Sequence, residues 1–125
     1  MNEEKLRSIG FKILRFGLAA IFIWFGTQQL LHTAAWTGFV PDWVTLSLIS
    51  KAQFVMINGL FEVIAAILLV LNVWTRIVAL LLSLHLFGIA LSIGLNSQTG
   101  VRDFGLAIST LALACFGKGK DTQIM

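Results

Sequence analysis

The chain has 125 residues, 58% of them hydrophobic and 12% charged, with a net charge of +3. A soluble domain carries about 25% charged residues, so this sequence has too few charges to coat a globule, and lipid must cover much of its surface. There is no basic run of the kind that binds nucleic acid, which excludes that partner. The lone cysteine, Cys115, excludes an internal disulfide, a CxxC redox pair and a cysteine-based zinc site.

A helix needs about 20 apolar residues to cross the hydrocarbon core. The first stretch of that length runs over residues 12–31 and contains GLAAIFIWFGTQQLL. Lys5, Arg7, Lys12 and Arg15 before it resemble the n-region of a signal peptide. The apolar run is long for such a peptide and no A-x-A site follows, so it reads as a retained span. Residues 32–50, HTAAWTGFVPDWVTLSLIS, gather Trp36, Phe39 and Trp43. Pro41 suits the first position of a helix, and the spacing predicts a short interfacial helix from Pro41 to Leu48 anchored by tryptophans. Further spans are predicted over residues 52–71, 76–95 and 98–118. The fold class is therefore all-α, a transmembrane four-helix bundle forming a single domain over residues 1–125.

Basic residues set the direction. With the N-terminus cytoplasmic, Lys5, Arg7, Lys12, Arg15, Arg76, Lys118 and Lys120 lie inside, and only Lys51 and Arg102 lie outside. That distribution follows the positive-inside rule and predicts a multi-pass protein of the cell membrane with both termini cytoplasmic.

Ionisable groups inside a span cost about 2.5–3.5 kcal/mol on insertion scales and need a reason. Glu62 lies about 15 Å into the second span at 1.5 Å per residue, and Asn58 sits one turn before it on the same face. His85 is near the middle of the third span, with Gly88 and Ser92 following on its face. Gln28, Gln29 and His32 crowd the outer end of the first. Between Asp103 and Lys118 the uncharged helix covers only about 21 Å of a core about 30 Å thick. Either the bilayer thins there, or the helix starts earlier and draws Arg102 and Asp103 below the interface. Gly105 and Ser109 share the Arg102 face and would let another helix approach.

Because the spans alternate in direction, Glu62, His85, Asn58, Gln28, Gln29, Arg102 and Asp103 can all project into the outer half of the bundle. They would form a polar cavity able to bind a ligand or handle protons. The alternative is structural: Glu62 as a buried acid bonded to Asn58, His85 or Arg102, and the glutamines as interhelical donors.

The chain resembles the DoxX family of small four-span membrane proteins. The resemblance rests on the R-x-G-L-A-A-I-F-I-W-F-G segment starting at Arg15 and on G-L-F-E-V-I-A-A-I-L-L-V (Gly59 to Val70) with Arg76 beyond. It rests also on V-R-D-F-G-L-A (Val101 to Ala107). It implies a four-helix bundle in the cytoplasmic membrane of a prokaryote, with Glu62, Arg102 and Asp103 on the family's characteristic polar positions. Many relatives carry a basic residue after the first-span glycine. Here Gln28 and Gln29 stand in that place, which argues against carrying over an anionic substrate.

The family's link to a membrane subunit of thiosulfate:quinone oxidoreductase implies a redox-linked subunit whose cavity holds a quinone. A soluble or membrane partner protein, or the quinone itself, would carry the electrons. His85, Arg102 and the glutamine amides would donate to a quinone carbonyl, and Glu62 or Asp103 would relay protons. Bis-histidine haem is disfavoured because His32 and His85 differ in height by about 15 Å, and no metal site is expected. The competing functions are a non-catalytic assembly factor or scaffold and a small-molecule transporter using Glu62. Exposed small-residue faces such as Gly88/Ser92 would serve a homo-oligomer contact or internal packing equally well.

Overall fold

A computed structural model describes residues 2 to 116, which form α1 (Glu3–Leu31), α2 (Thr33–Trp36), α3 (Lys51–Leu71), α4 (Thr75–Ile93) and α5 (Gln98–Phe116). Two 3₁₀ segments, Thr37–Phe39 and Asp42–Ser47, lie between α2 and α3. Among the described residues there is no strand, and α1, α3, α4 and α5 are each long and apolar enough to cross a membrane. The all-α fold class stands as read from the sequence, with four helices long and apolar enough to span a membrane. Lys118 and Lys120 lie outside the described residues.

The helix starts and stops are written in local chemistry. α1 begins well before Lys12 because the Asn2 side chain accepts from the Lys5 N–H at 2.8 Å and Glu3 and Glu4 occupy the first turn. Both features favour a helix N-terminus. α3 opens with a capping box: Gln53 N–H donates to Ser50 Oγ at 3.0 Å, and Ser50 N–H donates to Gln53 Oε1 at 2.9 Å. It stops at Asn72, whose φ of 55° is a left-handed cap that Asn tolerates. Trp74 follows at φ 52°, a conformation uncommon for a bulky residue, so the α3–α4 turn is strained at that point. Between α4 and α5, Gly94 adopts φ 105°. A Cβ on Gly100 would lie 1.9 Å from the Gly94 carbonyl oxygen, so the turn closes only with glycine at position 100.

The short helix expected from Pro41 to Leu48 is present, as a 3₁₀ segment over Asp42–Ser47. Pro41 is extended (ψ 148°) and precedes the 3₁₀ segment Asp42–Ser47, which ends at Leu48 in the left-handed region (φ 72°). α2 and the turn Thr37–Phe39 come earlier. Thr37, Thr45 and Ser47 each donate a hydroxyl to the carbonyl three residues back, at 2.9, 2.8 and 2.6 Å. Such short-range bonds compete with the α-helical ladder and suit the tighter 3₁₀ turn. Lys51 Nζ, 2.5 Å from Asp42 Oδ1, ties the segment to the start of α3. That pairing holds the exposed Asp42 carboxyl below its ordinary pKa.

Consecutive spans pack as two pairs, α1 with α3 and α4 with α5, and the pairs meet each other less extensively. In the first pair, Gly26 and Gly59 bring two backbones together. A Cβ on Gly26 would sit 2.7 Å from the Gly59 carbonyl oxygen, and one on Gly59 would sit 2.9 Å from the Gly26 oxygen. Small residues permit this approach in membrane helices. In the second pair, Ser83 Oγ donates to the Ala107 carbonyl at 2.9 Å.

Each pair is also tied by an arginine near the chain's N-terminal end of the bundle. Arg15 of α1 is 6% exposed and donates from Nη1 to the carbonyls of Leu69 and Val70 at 2.7 and 3.0 Å. Arg76 of α4 donates from Nε to Ala114 at 3.3 Å. Both meet carbonyls in the last turn of the partner helix, where a cation complements the helix dipole.

The dry core fills that same half of the bundle, with Phe11, Leu18, Phe22, Leu69, Leu82 and Leu113 buried together. A smaller cluster of Val40, Val44 and Val55 seats the α1–α3 connection at the opposite end. The outward faces carry apolar side chains such as Ile13, Leu84 and Leu91.

The glycine crossing gives a direct test. Gly59→Val forces the α1 and α3 backbones apart, and overpacking of this kind costs about 1–3 kcal/mol. Thermal unfolding in mild detergent is expected to fall for Gly59→Val and to stay near wild type for Gly105→Ala, whose Cβ meets nothing within 4 Å.

Candidate functional site

Between the two helix pairs lies a cavity of about 330 Å³. Its walls come from α1, α3, α4 and α5, and the α1–α3 connection crosses its mouth with Trp36, Phe39 and Trp43. The site depends on how helical side chains lean. Each Cα–Cβ bond tilts toward the N-terminus of its own helix, and α1 and α3 run in opposite directions. Gln29, near the end of α1, therefore leans into the bundle, while Glu62, midway along α3, leans up to meet it. Asn58 stands one turn from Glu62 and joins them.

The result is one chain of hydrogen bonds across three helices. His85 Nε2 contacts Asn58 Oδ1; Asn58 Nδ2 donates to Gln29 Oε1 at 2.7 Å; and Gln29 Nε2 donates to Glu62 Oε1 at 3.4 Å. Every bond points the same way. Since the Asn58 oxygen can only accept, the His85 tautomer is the one protonated on Nε2. Phe61 packs against the His85 ring edge-on, with centroids 4.8 Å apart, and fixes its orientation. Glu62 is 4% exposed and Gln29 6%. A carboxyl so buried is tolerated in a span because the amide answers it.

Arg102 and Asp103 add the only formal charges besides Glu62 among the residues lining the cavity. α5 begins at Gln98, which puts the pair in its second turn with Asp103 buried. Arg102 donates to Asp103 Oδ1 from Nη2 at 3.1 Å and from Nε at 3.3 Å, and its guanidinium lies 4.5 Å from the Phe25 ring centroid. Phe25 in turn meets Trp36 edge-on at 5.8 Å. Contacts of this kind stabilise a cation best where water is scarce.

The structure thus brings Glu62, His85, Asn58, Gln29, Arg102 and Asp103 to one cavity. Gln28 is half-buried and does not line it, and His32 is exposed at the end of α1. Gly105 is exposed with open space beside it, and Ser109 bonds its own helix at the Gly105 carbonyl. Phe25 and Phe61, which hold Arg102 and His85, carried no signal in the sequence beyond lying on apolar helices. Among the described residues no three of His, Cys, Asp and Glu are grouped as a metal would require.

The bond between His85 and Asn58 links the two helix pairs, and a double-mutant cycle measures it. Asn58→Leu and His85→Leu are each expected to lower thermal stability in detergent. Their effects should be non-additive by about 0.5–3 kcal/mol, the range for residues in one network. Simple additivity would show that the bond does not couple the pairs.

A family model described as DoxX matches residues 10–95. The match takes in α1 from its third turn, the connection, α3 and α4, and leaves α5 beyond it. No curated protein and no solved structure matches the chain. With more than half its length covered and its helices suited to crossing a bilayer, the chain is an integral membrane protein that belongs to the DoxX family.

Proposed function

We propose that this protein is a redox-linked subunit of the cytoplasmic membrane whose cavity holds the head of a quinone-like molecule. The observation that carries the reading is an aromatic-walled cavity with a polar floor. Trp36, Phe39, Trp43 and Phe25 offer flat apolar surface, and the hydrogen-bonded groups sit below them. Ligand sites are commonly apolar clefts of about 300–1,000 Å³ with a few convergent polar groups. A cavity of about 330 Å³ suits one substituted ring. Arg102 would donate to one carbonyl oxygen of the ring. Glu62, at the end of its hydrogen-bonded chain, and Asp103 would relay the two protons that accompany the two-electron change of the ring. The electrons would come from a partner protein.

Orientation belongs to the same reading. Lys5, Arg7, Lys12, Arg15 and Arg76 cluster toward one end of the bundle, and Lys51 and Arg102 toward the other. By the positive-inside rule the N-terminus is cytoplasmic and the cavity mouth faces outward. Single-cysteine variants in a Cys115→Ser background test this in intact cells. A cysteine at Leu46 is expected to react with a membrane-impermeant maleimide, and one at Glu4 only after lysis. The reverse pattern would overturn the orientation.

Mass spectrometry of organic extracts tests the ligand. Wild type purified in mild detergent is expected to retain a quinone near one per chain, and a folded Glu62→Gln variant to lose it. If both retain the same bulk lipids and no quinone, the polar chain is a packing device and the protein a scaffold.

A further inference from the structure

Gly88 occupies an unexpected place on α4. The buried stripe of that helix is Ala79, Leu82, Leu86 and Ala90. At 3.6 residues per turn, Gly88 points nearly opposite to it. Gly88 is exposed, and a Cβ built on it meets nothing within 4 Å, yet it lines the cavity together with Ser92. A residue on the outward face can line an internal cavity only where that cavity opens through the wall. The edge of α4 on this side is the one turned to α3, since His85 there meets Asn58 and Phe61. Phe54 of α3 lines the cavity across the gap. Above and below the opening, Leu91 and Leu84 are exposed on α4 and Ile57 on α3, an apolar surround with no charge.

We infer that the cavity opens sideways into the lipid between α3 and α4 at Gly88, and that its ligand is an amphiphile whose ring or polar head sits inside while its hydrocarbon tail passes out through this portal. This rests on the cavity being a ligand site, the reading proposed above, and deepens it by naming the ligand class. The volume supports it: about 330 Å³ takes a head and leaves no room for a long tail. A missing side chain at position 88 is what keeps the passage clear. Tailed quinones and acyl lipids share this chemistry, and the experiment separates them.

The test uses the full chain in mild detergent with Gly88→Phe, Gly88→Ala and Glu62→Gln, each checked for helicity and thermal unfolding. Binding is read from tryptophan fluorescence with two probes, a decyl-tailed benzoquinone and the same ring without its tail. Gly88→Phe is expected to weaken the tailed probe by about tenfold or more, equivalent to about 1.4 kcal/mol. The tail-free ring should lose far less affinity in Gly88→Phe than the tailed probe does, and Gly88→Ala should weaken the tailed probe less than Gly88→Phe. Equal binding of the tailed probe by wild type and Gly88→Phe overturns the portal while leaving the quinone reading intact. If wild type binds neither probe, the quinone reading falls, and phospholipid counted by mass spectrometry decides the portal. Lipid held by wild type and lost from Gly88→Phe supports an acyl tail in the gap, whereas equal lipid in both overturns it.

Discussion

A carboxyl group in the middle of a membrane helix must be answered by other polar groups, and here the answer organises the bundle. Water is absent from the hydrocarbon core, so each buried polar atom needs a partner from the protein. Glu62 takes an amide from α1, that amide takes another from α3, and the last oxygen faces the imidazole of α4. Helix–helix contact in lipid gains little from hydrophobicity, because the surrounding tails are as apolar as the side chains. Directional bonds therefore carry more of the specificity than they would in a soluble bundle. They fix which face of each helix turns inward, and the cavity is the space the polar groups keep open.

The two ends of the bundle solve different problems. Toward the N-terminal end, phenylalanine and leucine close the core, and Arg15 and Arg76 satisfy carbonyls in the last turns of their partner helices. Toward the other end a cavity lies between the pairs, and the connection after α1 packs beside it through Val40 and Val44 against Val55 of α3. Its short 3₁₀ turns and its tie to Lys51 make it a separate structural piece resting on the spans.

Much of this was legible in the chain. Apolar runs of spanning length, interrupted by a few charges, dictate the helices, and the depth of Glu62 follows from the rise per residue. The one-turn spacing of Asn58 and Glu62 places them on one face, and six of the seven polar candidates meet in the cavity. Gln28 and Gln29 could not be separated by sequence, because adjacent helical positions differ by about 100° and only the packing decides which turns inward. α1 extends to Glu3, ahead of the apolar run, because a cap made by Asn2 is independent of hydropathy. The short helix of the connection was legible from Pro41, but its 3₁₀ form and its start at Asp42 were not, because a proline fits both the first helical position and an extended residue just before it. Arg15 counted only as a cytoplasmic charge, since a bond to a carbonyl more than fifty positions away leaves no local trace.

The pairing of consecutive spans bears on how the chain enters the membrane. α1 and α3 emerge from the ribosome before α4, and within them the acid already has its glutamine, the glycines already interlock, and Arg15 already reaches the carbonyls it serves. The first hairpin can thus be released into lipid with its most costly group partnered. The second brings its own Arg102–Asp103 pair, neutral as a unit. Biogenesis then needs no stage at which a naked charge waits in hydrocarbon, and the imidazole of His85 serves as the clasp that joins two finished halves.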